Sequence, residues 1–201
     1  MSDWIYLASQ SPRRAQLLEQ LGVPHQTLLP TAEEDAEALE LQWPGEGPDD
    51  YVRRVTANKL EAALRRRVRR DLPLRPVLCS DTTVALGAEI LGKPGDDADA
   101  LRILRQLSGQ THRVLTAVSL AWGEGQQAQA VSVSQVRFAA IPEAALRRYV
   151  ASGEPMGKAG AYGVQGRMAG WIEHLEGSYS GIMGLPLFET ATLLRRAGID
   201  C

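Results

Sequence analysis

The sequence predicts an α/β protein with mixed strand pairing. Three observations carry that prediction. A short apolar run near the start gives way to a polar turn and then to an amphipathic helix. Two later stretches, 111–121 and 129–139, alternate β-branched residues with others and read as a paired strand couple. Helical patterns with recognisable starts and stops lie between the remaining strand-like runs.

The elements follow in order. Trp4 to Ala8 reads as a buried strand running into Ser9-Gln10-Ser11-Pro12-Arg13-Arg14. Ser11 stands at a helix cap and Pro12 suits the first turn, where a missing N–H costs nothing. Leu17, Leu18 and Leu21 form the apolar face, and Gly22 stops the helix. His25 to Leu29 reads as a second strand, followed by acidic Glu33-Glu34-Asp35 and a loop over 40–48 rich in Pro and Gly. A long helix is predicted from Asp49 to about Arg70. Its stripe of Val52, Val55, Ala62 and Ala63 includes Lys59, so that lysine faces inward or lines a cleft.

Val77-Leu78-Cys79 reads as a buried strand with Ser80-Asp81-Thr82-Thr83 at its end. Gly87 and Gly92 punctuate a hairpin. Asp96 caps a helix with Ala100, Ile103, Leu104 and Leu107 on one face. After the strand couple, Pro142 opens a helix that ends at Gly153. Gly157 to Gly163 reads as a loop, Trp171 to Leu175 as one more strand, and a last helix begins near Pro186 and ends near Gly198.

Composition narrows the function. The 201 residues are 44% hydrophobic, enough for a substantial core, and suit a single domain over 1–201. A net charge of −2 argues against a nucleic-acid binder held by bulk electrostatics. No apolar run approaches a membrane span, no basic leader precedes Trp4, and Cys79 and Cys201 make no disulfide framework. A cytoplasmic protein with no membrane partner is the expectation. Of the 22 cationic residues only Lys59, Lys93 and Lys158 are lysines, so each stands out where arginine is the default.

Several residues could carry chemistry. The Ser9–Arg14 turn joins a helix start, two hydroxyls and two guanidiniums, which is either a phosphate cradle or an ordinary capped helix. Asp81 at a strand end can hold a metal or activate water, or simply cap a turn. Glu34 is its candidate partner, because a hard divalent cation needs oxygen ligands from more than one place; the plain reading of its neighbourhood is a solvated acidic loop. Lys93 and Lys158 read as ligand contacts or as surface residues. The run Arg65-Arg66-Arg67-Val68-Arg69-Arg70 reads as a solvated helix C-terminus. His25, His112 and His174 share no metal or triad spacing and read as structural. Cations for a polyanion, two separated carboxylates and no Ser-His or Cys-His pairing point to metal-assisted chemistry on a phosphorylated small molecule.

The chain resembles the Maf family of nucleoside triphosphate pyrophosphatases along essentially its whole length. Five segments carry the likeness: 7–14, Ser80-Asp81-Thr82-Thr83-Val84, Gly92-Lys93-Pro94, the glycine-rich 157–166, and Gly177-Ser178-Tyr179-Ser180 through Met183-Gly184-Leu185-Pro186. The resemblance implies a long mixed sheet flanked by helices, with two lobes and a central cleft, similar to inosine triphosphate pyrophosphatases. It implies cleavage between the α- and β-phosphates with Mg²⁺ or Mn²⁺. Asp81 would accept the proton, Lys59 and Lys93 would assist, and Glu34 (or adjacent Glu33) would join Asp81 on the metal. Ser9, Ser11, Arg13, Arg14, Thr82, Lys158 and Gln165 would bind substrate.

Arg13, Thr82 and Gln165 resemble the branch that prefers dTTP and UTP; the branch that prefers N7-methyl-GTP tends to carry Trp, Gln and Glu there. A glutamine amide offers both a donor and an acceptor to a pyrimidine edge. The partner implied is a nucleoside triphosphate, without a stable nucleic-acid complex, and a homodimer accords with the family. A second reading is a nucleotide-binding cell-division regulator without turnover.

Overall fold

A computed structural model describes residues 4–31, 34–35 and 38–201; Glu33 lies outside them. The described residues form one open sheet of seven strands: β1 (Ile5–Leu7), β2 (His25–Thr27), β3 (Val77–Leu86), β4 (Glu89–Leu91), β5 (Thr111–Gly123), β6 (Gln126–Phe138) and β7 (Ile172–Glu176). Their order is β2-β1-β3-β5-β6-β7, with β4 paired to β3. β1 runs parallel to β2 and β3, whereas the other pairs are antiparallel, so the mixed pairing is as predicted.

The helices α1 (Pro12–Gln20), α2 (Pro48–Arg69), α3 (Asp97–Leu107), α4 (Glu143–Val150), α5 (Tyr179–Met183) and α6 (Leu187–Arg196) cover the sheet. α2 packs Val52, Leu60 and Ala63 against Cys79, Ala85, Leu115 and Ala117 on one face. On the other face lie two apolar clusters. One joins α1 and α6 to Ile5, Leu7, Leu78 and Val118. The second joins α3 and α4 to Val84, Val114, Phe138 and Tyr162. Among the described residues no helix is long and apolar enough to cross a membrane.

Three local expectations need correction. Ser11 occupies the cap position of α1, but its side chain makes no cap hydrogen bond; its N–H instead donates to Ser9 Oγ at 3.2 Å. The Arg65–Arg70 run is not simply solvated. Arg66 is 5% exposed, because its guanidinium reaches the carbonyl of Leu28 at 2.9 Å and the carboxylate of Glu34. Most important, β3 does not end at Ser80 but runs on to Leu86. Residues 80–83 are too polar to read as core strand. They are held there because β5 pairs with β3 without a break from Val77↔Ala121 to Ala85↔Arg113.

That long strand creates the site. Along its other edge β1 pairs only with Val77 and Leu78, and β4 only with 84–86. Among the described residues, 79–83 therefore have no strand partner on that side. Asp81 and Thr82 sit in this gap, one projecting to each face of the sheet, since successive side chains alternate.

Candidate active site

Asp81 points toward α2, where the apolar stripe brings Lys59 opposite it. Lys59 Nζ donates to Asp81 Oδ1 at 2.5 Å and to Glu40 Oε1 at 2.7 Å. Lys93, in the turn after β4, donates to Glu40 Oε2 at 2.6 Å. Burial alone would push the Lys59 ammonium toward its neutral form; the charges of Asp81 and Glu40 outweigh it and hold its pKa above the ordinary lysine value. Burial likewise opposes ionisation of Glu40, but Lys59 and Lys93 prevail and hold its carboxyl below the usual range. The result is an alternating chain of charged groups, Lys93–Glu40–Lys59–Asp81, in which Lys59 and Glu40 favour each other's ionised form.

Thr82 faces the opposite side, toward the β1–α1 turn. Arg14 donates through Nε to the carbonyl of Gly184 at 2.8 Å and through its terminal nitrogens to Ser9 Oγ at 3.3 Å and Thr82 Oγ1 at 3.5 Å. Burial lowers its pKa, without taking a guanidinium near neutrality. Thr116, beside Thr82 on β5, donates to the carbonyl of Gly181 at 2.7 Å. The α5 segment is thereby tied to the sheet and brings Gly184 against Arg14.

The third wall is the glycine-rich segment after α4. It carries Lys158, whose ammonium is held by the Glu154 carbonyl, and Gln165. Burial and the nearby charge of Arg13 lower the Lys158 pKa. Unlike Lys59, this lysine has no carboxylate tightly paired to it among the described residues.

These walls enclose a cleft of about 560 Å³. Ser9, Ser11, Arg13, Arg14 and Lys59 line it, as do Asp81, Thr82, Lys93, Lys158 and Gln165. Among the described residues its cations outnumber its two carboxylates, Glu40 and Asp81, so the cleft suits a polyanion. Val84, Val114 and Tyr162 give the end beside Lys158 an apolar character.

Glu34 does not join them. Arg66 grips it, with Nε 3.0 Å from both carboxylate oxygens and a terminal nitrogen at 2.6 Å, and Arg69 approaches at 3.1 Å. Arg66 is the largest reason its carboxyl is held below the usual range. The carboxylate beside Asp81 is Glu40, which sequence reasoning placed at the edge of an uninformative loop. It lies in a single 3₁₀ turn, Ala38–Glu40, fixed from behind by the Tyr51 hydroxyl donating to its backbone carbonyl at 2.7 Å. No periodicity or spacing marks such a residue; Tyr51 and Lys59 on α2, together with Lys93, locate it.

The donor set can be tested against a divalent cation. Among the described residues no group of three His, Cys, Asp or Glu side chains converges. Asp81 and Glu40 do converge, on one ammonium. Two carboxylates completed by phosphate oxygens and water are what Mg²⁺ ordinarily takes from a protein that binds it together with a nucleotide. The residues fit a metal that arrives with its substrate.

A family model described as Maf-like protein matches residues 4–197. The chain belongs to the Maf family. Among curated Maf relatives, the dTTP/UTP pyrophosphatase of Cupriavidus pinatubonensis is 66% identical, covering 98% of each chain. That of Ralstonia nicotianae is 63% identical over 97% of this chain and 94% of its own. That of Cupriavidus metallidurans is 62% identical over 99% of both. Solved structures align more distantly. A nucleoside-triphosphatase / dITP/XTP pyrophosphatase from Mycobacterium abscessus covers 69% of this chain and 75% of its own, at 19% identity and a TM-score of 0.44. A HAM1 protein from Coxiella burnetii covers 69% and 74%, at 16% identity and 0.46.

Proposed function

We propose that this Maf protein hydrolyses dTTP and UTP to the nucleoside monophosphate and pyrophosphate. The observation that carries the reading is the cleft itself, which sets Asp81 in the sheet gap among Arg13, Arg14, Lys59 and Lys93. The names of relatives 62–66% identical over nearly the whole chain support the same substrates.

In this reading the triphosphate lies across the β1–α1 turn and the gap in β3. Arg13, Arg14 and Lys93 bind its oxygens, and their charge is matched to the negative charge that builds on the departing pyrophosphate. Asp81 takes a proton from water as that water attacks the α-phosphorus. The bond from the α-phosphorus to the bridging oxygen breaks, and pyrophosphate leaves with the electron pair. Lys59 holds the Asp81 carboxylate in place. Asp81 and Glu40 are the residues that would hold Mg²⁺ or Mn²⁺, which when bound polarises the phosphate oxygens. Gln165 reads the base, presenting its amide to the O4 and N3–H edge of uracil or thymine.

The test is pyrophosphate release from dTTP, UTP, CTP, GTP, ATP and N7-methyl-GTP with Mg²⁺ or Mn²⁺, beside Asp81→Asn. Release from dTTP and UTP that disappears in the variant is the expected result. Release from N7-methyl-GTP alone would overturn the base assignment. Nucleotide binding without release from any of them would overturn the reaction and favour a regulator.

A further inference from the structure

Besides the packing of Ala161 and Tyr162 into the core, three contacts tie the 157–166 segment to the sheet beside the cleft. Gly160 N–H donates to the carbonyl of Gly92 at 3.1 Å, beside the turn that carries Lys93. Gly160 also passes so close to β3 that a β-carbon there would stand 2.8 Å from Val84 Cγ1. The third contact is Tyr162, whose hydroxyl shares a 2.7 Å hydrogen bond with His112 Nε2.

His112 is fully buried, at 1% exposure, and has no part in the chemistry proposed above. Its ring lies 5.2 Å from that of Phe138 and 5.5 Å from that of Tyr162, edge to face with the latter. Its Nδ1 has no hydrogen-bond partner among the described residues. Burial drives its pKa down to about 4, so it is neutral when the protein is folded near neutral pH. A phenylalanine would fill the same space without an orphaned nitrogen. What histidine adds at this position is the bond to Tyr162.

The segment needs such a tether. Ala161, adjacent to Tyr162, holds a φ of 59°, a left-handed conformation that a residue with a β-carbon keeps only when its surroundings impose it. Lys158 lies four residues before Tyr162 and Gln165 three after it.

We infer that His112 is a positioning residue: through Tyr162 it fixes the register of 157–166, and thereby the places of Lys158 and Gln165 in the cleft, without touching substrate. The proposed function enters only in saying what those two side chains grip. A docked segment that opens more often binds more weakly in proportion to the docked fraction lost.

The experiment compares full-length His112→Phe, Tyr162→Phe, the double variant and His112→Gln. Hydrogen exchange is followed over 157–166, with kcat and KM for dTTP measured in parallel. Each single variant is expected to speed exchange of the segment by on the order of tenfold and to raise KM by the smaller factor by which the docked fraction falls, with kcat within about twofold of wild type. The double variant is expected to be no worse than either single one, because both remove the same bond. His112→Gln, whose amide nitrogen can still reach the tyrosine, is expected to recover part of the loss. Wild-type exchange of 157–166 in Tyr162→Phe would overturn the inference, as would losses that multiply in the double variant or fall on kcat alone. Should His112→Phe fail to fold, Tyr162→Phe and His112→Gln still decide. Should the wild type release no pyrophosphate from dTTP, the proposed function fails and the exchange measurements still judge the tether.

Discussion

Replacing Lys59 by methionine removes the one cation that Asp81 and Glu40 share among the described residues while keeping most of the unbranched stem of the side chain. Their oxygens lie 2.5 and 2.7 Å from its ammonium. With the ammonium gone, two carboxylates roughly 4–5 Å apart repel by about 3–4 kcal/mol at an effective dielectric near 20. The Lys59 and Asp81 side chains are only 19% and 11% exposed, so solvent relieves little of this. Removing one member of a buried ion pair costs about 3–5 kcal/mol, and the lower end applies where a cleft admits water. The variant can escape the repulsion by keeping a proton on the carboxyl pair, which in the proposed reaction deprives the cleft of its base. Lys59→Met is therefore expected to melt earlier and to lose kcat at least 100-fold near neutral pH. Part of that loss should return as the pH rises and the shared proton departs. The assay is kcat for pyrophosphate release against pH, with a thermal melt at each point. Wild-type kcat, or a loss of the same size at every pH, would refute the charge-sharing account of Lys59.

The two glutamates separate cleanly. Glu40→Gln should weaken activation by Mn²⁺ at least tenfold, whereas Glu34→Gln should leave kcat within about threefold; the reverse pattern in a metal titration would put Glu34 on the metal. In stability, Glu34 has a folded pKa below its unfolded value, so its contribution is complete above the ordinary carboxylate range and is lost as pH falls through the folded pKa. Glu34→Gln should thus destabilise by about 1 kcal/mol at neutral pH, discounted for exposure, with the gap to wild type closing in acid melts. Gln165→Glu should reduce kcat/KM for dTTP and UTP by about 10–100-fold while sparing other nucleotides; an equal loss for all would remove base reading from Gln165. Gly160→Ala combines a left-handed φ of 68° with the clash on Val84, and should cost about 2–3 kcal/mol and raise KM; a wild-type melting temperature would show that the segment yields freely.

Much of this was legible in the sequence because much of it is local. A lysine on an apolar helical stripe has to face something polar, and Lys59 does. Ser9 to Arg14 could be read as a cradle or as a capped helix start, because a strand, a turn, proline and two arginines follow one another directly, and these residues line the cleft. What stayed hidden was decided by partners distant in the chain. Asp81 looked like the end of a strand because four polar residues do not resemble a core; β5, some thirty-five residues on, makes them one. Glu40 had no local signature at all, since its place depends on Tyr51 and two lysines. Arg66 was lost within a run of like residues, although its position on α2 turns it inward to Leu28 and Glu34.

The discontinuity along β3 has a consequence beyond catalysis. Backbone left without a neighbour is where a foreign strand can join a sheet, the usual start of edge-to-edge aggregation. Here the bare stretch is flanked by Arg14, Lys59 and Asp81, whose charges a joining strand would have to strip of water without replacement. The side chains that make the cleft attractive to a triphosphate also make it forbidding to a polypeptide. A variant that neutralises them for the sake of stability would give up activity and leave the opening unguarded at the same time.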